Sequence, residues 1–125
     1  AAEPQSSRCS LPGESDCRIL MAHYPDAVLR LRPDTRIDLV VAGHTHGGQV
    51  QLPFFGPPLT LSSVPRQVAA GGLHDLGGRR IYVSRGVGCE RGQAPRLRFL
   101  CPPEVSPVTL FPAARAAGRC MRPTS

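Results

Sequence analysis

The chain contains several short runs of apolar residues, and the run at residues 37–42 is the strongest of them. It is Ile-Asp-Leu-Val-Val-Ala, a nearly continuous β-branched stretch that is typical of a central strand covered on both faces. Residues 18–22 form a shorter run that predicts a second buried strand. Further apolar clusters predict strands at 80–84, 97–100 and 105–110, and the pattern allows a short one at 50–52.

A short helix is expected between the first two predicted strands. Pro25 and Asp26 suit its first turn, because that turn needs no proline N–H and its positive dipole end favours an acidic side chain. The helix would span residues 27–31 and end before Pro33. The order strand, helix, strand and then mostly strands predicts an α/β fold whose second part is antiparallel or mixed.

Segments rich in proline, glycine and serine separate these elements and predict loops. Residues 53–63 form a proline-rich loop, and His74 lies in an expected turn, where a structural role is the favoured interpretation. Residues 1–17 are expected to be a loop or linker and residues 113–125 a tail. The 95 or so residues between them, at 18–112, suit one domain.

The net charge of the chain is +6, and all 15 basic residues are arginines. This balance favours anionic partners. The arginines are scattered, however, and aromatic residues that would stack on bases are scarce, which argues against a nucleic-acid-binding module. No stretch approaches the roughly 20 apolar residues of a membrane helix. The compartment stays open between the cytoplasm and the periphery of a bacterial membrane.

Three of the four histidines, His23, His44 and His46, directly follow predicted strands. Ligands of open α/β sheets gather at the carboxyl ends of strands, and neutral imidazole is a good ligand for Zn, Fe, Mn or Ni. If the backbone stays extended, His44 and His46 point to the same face. The pair and its flanking glycines therefore indicate a metal-binding turn. For His23 alone, a ligand role and a structural role are both open.

The segment Gly-His-Thr-His-Gly-Gly-Gln at residues 43–49 resembles the last motif of the calcineurin-like metallophosphoesterases. Its Gly-Gly-Gln ending is similar to a bacterial phosphodiesterase branch that includes membrane-associated enzymes acting on UDP-diacylglucosamine-like substrates. Residues 19–26 resemble the penultimate motif of the family, a strand that ends in a metal-binding histidine. Residues 81–88 and 96–105 resemble the closing strands of the same branch.

The resemblance implies the C-terminal half of an α/β/β/α sandwich, in which two packed sheets are flanked by helices. It also implies two divalent transition metals (Mn, Fe, Zn or Ni), with His23 and His44 on one ion and His46 on the other. A hydroxide that bridges the metals would then hydrolyse a phosphodiester or diphosphate. The implied partner is a phosphoester substrate, lipid-linked or nucleotide-linked. Arg85 is open between contact with the substrate phosphate and a structural salt bridge, and the salt bridge is favoured.

The first three motifs of the family, Asp-x-His, Gly-Asp and Gly-Asn-His, do not occur before Arg18, where they would have to lie. No catalytic residue is therefore identified in this chain, and its substrate-binding residues are unknown. The favoured hypothesis is part of a metal-dependent phosphoester hydrolase. The alternative is a catalytically inactive metal-binding remnant.

Overall fold

A computed structural model of the chain describes residues 17–89, 92 and 96–111, and it contains one mixed sheet of four strands. The expected N-terminal loop up to residue 16 and the expected tail at 113–125 lie outside the described residues. The strands are β1 (Ile19–Ala22), β2 (Leu39–Ala42), β3 (Gly72–Leu76) and β4 (Arg79–Val83). Their order across the sheet is β1-β2-β4-β3.

Strand β2 is central, as the apolar run at 37–42 predicts. It pairs in parallel with β1 on one side and with β4 on the other. β3 and β4 form an antiparallel hairpin through Gly77 and Gly78, whose φ values of 63° and 82° require glycine at this tight turn. The amide of Gly78 donates to Oδ1 of Asp75, which closes the turn. The α/β fold with a mixed second part is confirmed.

The hydrophobic core lies on one face of the sheet. Val40, Ile81 and Val83 point to this face from the two central strands and are almost fully buried. Val28 from the first crossover and Val68 from the short helix α1 (Arg66–Ala69) cover them. Burying these aliphatic side chains contributes on the order of 1.5–3 kcal/mol each, so this face accounts for most of the packing energy of the described fold.

The opposite face of the sheet is only partly covered among the described residues: Leu39 on β2 is 8% exposed, and the Tyr82 hydroxyl on β4 donates to Glu104. Met21 on β1 is 82% exposed and Leu73 on β3 is 64% exposed. The prediction of a buried strand at 18–22 is therefore wrong in its burial, although the strand itself is present. The reason is that β1 is an edge strand of the described sheet, so its side chains alternate between exposed and half-buried positions.

A 3-10 helix at Pro25–Arg30 fills the crossover from β1 to β2, with proline in its first turn and Asp26 beside it. It corresponds to the predicted short helix. The expected proline-rich loop at 53–63 is also present. Within the part of the chain that the structure describes, no helix is long and apolar enough to span a membrane.

Three predicted details are wrong. Residues 97–100 and 105–110 are not strands; apart from one isolated parallel bridge between Phe99 and Val50, they lack ladder partners among the described residues. Prolines 102, 103 and 107 have no N–H to donate, which disfavours regular pairing there. Residues 50–52 make isolated bridges only. His74 lies inside β3 and not in a turn; the turn begins three residues later at Gly77.

Candidate metal centre

The parallel pairing of β1 and β2 brings the first two histidines together. Ala22 and Ala42 are paired in register at the carboxyl ends of these strands. The next residues, His23 and Gly43, continue the pairing through a hydrogen bond from the Gly43 amide to the His23 carbonyl at 3.2 Å. His44 follows directly, so two imidazoles from positions 21 residues apart meet at one edge of the sheet.

The ring nitrogens His23 Nε2 and His44 Nδ1 are 3.1 Å apart. Two imidazole nitrogens that share one ion at about 2.0–2.1 Å lie roughly 2.9–3.4 Å apart in octahedral or tetrahedral geometry, so this spacing fits a common ion. Without an ion, the same distance suits a hydrogen bond between one protonated and one unprotonated nitrogen. Tyr24 packs against both rings, with centroid distances of 4.7 Å to His23 and 4.0 Å to His44.

The backbone turns sharply between His44 and His46. Their φ values are 70° and 49°, both in the left-handed region, and Thr45 between them is helical. The condition for both side chains to point to one face, an extended backbone, is therefore not met, because the strand ends at Ala42. The Thr45 hydroxyl accepts a hydrogen bond from the Gly47 amide, which helps to hold a 3-10 turn at His46–Gly48.

His46 lies apart from the His23–His44 pair in its contacts. A Cβ placed on Gly88 would lie 3.5 Å from Cε1 of the His46 ring, so this ring faces the loop after β4. The His46 carbonyl accepts a hydrogen bond from the Cys101 thiol at 3.3 Å. Among the described residues, no three His, Cys, Asp or Glu side chains converge as a metal-binding group. The assignment of His23, His44 and His46 as metal ligands therefore stays a prediction.

Two glycines in this turn are required by space as well as by conformation. A Cβ on Gly48 (φ 73°) would lie 2.4 Å from Cβ of Pro57 and 2.6 Å from the Leu59 carbonyl oxygen. A Cβ on Gly47 (φ 62°) would lie 2.7 Å from the Cys101 sulfur. The turn is therefore packed tightly between the proline-rich loop and the C-terminal segment, the described residues 96–111.

A cavity of about 710 Å³ adjoins His23 and includes Arg30 in its lining. Asp26 joins two parts of the cavity lining, because its carboxylate accepts hydrogen bonds from the Ser62 hydroxyl and the Ser63 amide, both at 2.7 Å. Burial by itself would raise the pKa of Asp26, but these hydrogen bonds together hold that pKa below its ordinary value. The sequence placed Asp26 in the first turn of the predicted helix and at the end of the motif at 19–26, but it did not indicate the hydrogen bonds to the serine pair.

Arg85 makes a structural salt bridge, the interpretation that was favoured from the sequence. Its Nε donates to the Ala70 carbonyl at 2.9 Å and lies 3.7 Å from Oε2 of Glu104. Hydrogen bonds from the Ser106 and Tyr82 hydroxyls hold the pKa of Glu104 below its ordinary value, and Arg85 adds to this effect. This network attaches the C-terminal segment to β4.

Comparisons with known proteins indicate the family of the chain. The chain is 46% identical over 92 residues to the uncharacterized metallophosphoesterase YkuE of Bacillus subtilis, a match that covers 74% of this chain and 30% of that protein. It is 41% identical over 107 residues to the phosphodiesterase YaeI of Escherichia coli, covering 86% of this chain and 35% of that protein. No family model and no solved structure matches the chain.

A third relative is the UDP-2,3-diacylglucosamine pyrophosphatase LpxG of Chlamydia trachomatis, which is 36% identical over 102 residues, covering 77% of this chain and 28% of that protein. The chain belongs to the metallophosphoesterase superfamily, and its matches lie in the C-terminal part of these relatives. It spans between 28% and 35% of the length of the three. The names of the relatives imply divalent metal cofactors in general.

Proposed function

We propose that the whole protein is a phosphoester hydrolase that uses two divalent transition metals, and that this chain supplies three of the ligands. His23 Nε2 and His44 Nδ1 bind one ion, and His46 binds the other. The observation that carries the proposal is the 3.1 Å separation of the two ring nitrogens at the carboxyl ends of adjacent parallel strands. The names of the relatives, a phosphodiesterase and a pyrophosphatase, support the reaction class.

The side chains around the pair favour a fixed arrangement of the two imidazoles. Tyr24 contacts both rings and restricts their rotation, so that both nitrogens stay turned toward one point. His46 is held by a tight turn only two residues from His44, which keeps its ring close to the same strand end. Bound ions would supply Lewis acidity, which activates water near neutral pH and neutralises charge on the phosphate oxygens.

The substrate that we propose is a phosphodiester or diphosphate with a large substituent, either lipid-linked or nucleotide-linked. The cavity beside His23 can accept such a substituent, and Arg30 in its lining provides a cation for an anionic group. The pyrophosphatase LpxG, whose name gives UDP-2,3-diacylglucosamine as substrate, supports the lipid-linked form. Hydrolysis of UDP-diacylglucosamine compared with that of a nucleotide diphosphate without acyl chains would separate the two forms.

The test compares three histidine variants of the full-length protein on a chromogenic phosphodiester. We expect His44→Ala and His46→Ala each to lower kcat/KM about 100-fold or more, since loss of a metal ligand removes several kcal/mol of transition-state stabilisation. His74→Ala is the matched control, because His74 lies in β3 and its ring is hydrogen-bonded to the Gly71 carbonyl, away from the other three histidines. Wild-type activity in either ligand variant would exclude the proposal.

The alternative is an inactive remnant that binds a single metal weakly. It is motivated by the first three motifs of the family, which do not occur before Arg18. Among the described residues, the three histidines also do not converge as one metal-binding group. Metal titration with a turnover assay separates the two hypotheses. Two tightly bound ions with turnover would exclude the remnant, and one weakly bound ion without turnover in the full-length protein would favour it.

A further inference from the structure

We propose that Arg98 is a positioning residue for His46: its guanidinium joins the two loop segments that hold the His46 ring and the His46 carbonyl. The inference rests on the proposed function only in taking His46 as a functional ligand. The contacts themselves are independent of that role. Arg98 lies 52 residues from His46 along the chain, so no local element connects them.

The guanidinium of Arg98 donates to carbonyl groups of two segments. One segment is the loop after β4, and the other follows Cys101. On the loop after β4, Nη2 donates to Arg85 at 2.8 Å, to Gly86 at 3.0 Å and to Gly88 at 2.6 Å, and Nε donates to Gly88 at 3.1 Å. On the other segment, Nη1 donates to the carbonyls of Cys101 at 3.2 Å and Pro102 at 3.4 Å.

Each of these segments lies beside a different part of His46. Gly88, whose carbonyl accepts two of the Arg98 hydrogen bonds, lies beside the His46 ring: a Cβ built on it would be 3.5 Å from Cε1 of that ring. Cys101 donates from its thiol to the His46 carbonyl and is 1% exposed, so this sulfur is buried beneath the turn. Nη1 of Arg98 also approaches this sulfur, at 3.7 Å. Arg98 therefore connects both contacts of His46 through one rigid planar group.

The backbone next to Arg98 is hydrogen-bonded to the residues that follow the His46 turn. The next residue, Phe99, donates from its amide to the Gln49 carbonyl at 2.8 Å and accepts from the Gln51 amide at 2.9 Å. The backbone carrying Arg98 is therefore paired with the chain that leaves the His46 turn. Only arginine suits this place, because a lysine ammonium is a compact point charge and cannot span both segments with a fork of donors.

The test uses the four histidine ring signals of the 125-residue chain, observed by NMR at a fixed pH well above the ordinary imidazole pKa of about 6.5. We expect Arg98→Ala and Arg98→Lys to shift or broaden the His46 ring signal, while those of His23, His44 and His74 stay at their wild-type positions. Arg98→Lys accompanies Arg98→Ala because it keeps the charge and the aliphatic stem and so disturbs the fold less. Arg96→Ala, at an exposed position two residues earlier, is the matched control.

Two results would overturn the proposal. One is an unmoved His46 signal in either folded variant. The other is equal movement of all four signals in both variants, including complete unfolding of both, since that would give Arg98 a general structural role. The measurement needs no metal, so it is independent of the proposed function. If the Arg98 variants move His46 alone but zinc leaves the His23 and His44 signals of the wild type unchanged, the metal assignment fails and the positioning role stands.

Discussion

The His23–His44 pair and His46 lie at the same end of the sheet, but different forces hold them. The pair is placed by the sheet itself, because β1 and β2 are paired up to Ala22 and Ala42 and the two histidines follow directly. His46 lies in a turn with left-handed backbone; its ring lies beside Gly88, and its carbonyl accepts a hydrogen bond from the buried thiol of Cys101. One site depends on strand register, and the other depends on contacts with distant loops.

This difference means that the two sites should fail separately. Changes in the C-terminal segment should disturb His46 more than the pair, since the pair follows directly from the paired ends of β1 and β2. The first two predictions below concern the turn and the buried thiol on the His46 side. The last one compares a carboxylate on each side.

The largest effect is expected from glycine substitutions in the turn. Gly48→Ala should destabilise the fold by about 2–4 kcal/mol, because it combines a left-handed φ with overpacking against Pro57 and the Leu59 carbonyl. Gly43→Ala is the matched control; a Cβ there meets nothing within 4 Å, so its cost should be much smaller. Urea unfolding measures both. Equal stabilities of the two variants would contradict the account of the turn.

An intermediate effect is expected at Cys101. Cys101→Ala removes the buried donor to the His46 carbonyl and should cost about 1–3 kcal/mol. The exposed Cys17 provides the control, since Cys17→Ala should leave stability unchanged within about 0.5 kcal/mol. Thermal unfolding compares the two. A stable Cys101→Ala variant with an unmoved His46 ring signal would show that the thiol does not hold the turn.

The smallest expected effect is a pH dependence of stability. It involves Asp26, near the His23–His44 pair, and Glu104, in the C-terminal segment. The folded pKa values of Asp26 and Glu104 lie below their ordinary values of 3.8 and 4.5. Their ionised forms therefore add stability above those values, and this contribution is lost as the pH falls through each folded pKa. In Asp26→Asn and in Glu104→Gln, stability should fall less steeply with acid than in the wild type.

The local readout for Asp26 is the Ser63 amide, which donates to its carboxylate. Its NMR shift should titrate below pH 3.8 in the wild type and should lose this titration in Asp26→Asn. A Ser63 amide that titrates at or above the ordinary value would mean that the serine hydrogen bonds do not stabilise the carboxylate.

Sequence reasoning succeeded where the structure follows from local pattern and sheet pairing. The β-branched run at 37–42 predicted the central strand, and the rule that ligands gather at strand ends placed His23 and His44 in the same region. It failed where the backbone leaves regular geometry. Left-handed φ values at His44 and His46 are uncommon for non-glycine residues, and no pattern marked them in advance.

The C-terminal segment shows a second limit of the sequence pattern. Apolar clusters at 97–100 and 105–110 predicted strands, but the described residues offer only one bridge partner, Val50. Arg98 could not be recognised as a connection between loops, because its partners are backbone carbonyls, which every residue carries. Contacts of this kind depend on the tertiary path of the chain and leave no signature in residue type.

The measurement that tests the central claim most directly is a zinc titration of the 125-residue chain, followed by the ring nitrogen signals of its histidines. If His23 and His44 share one ion, Nε2 of His23 and Nδ1 of His44 should shift together with a common midpoint, and His74 should not respond. If the chain stays folded and these two nitrogens do not respond, or respond at different zinc concentrations, the claim of a shared ion is contradicted.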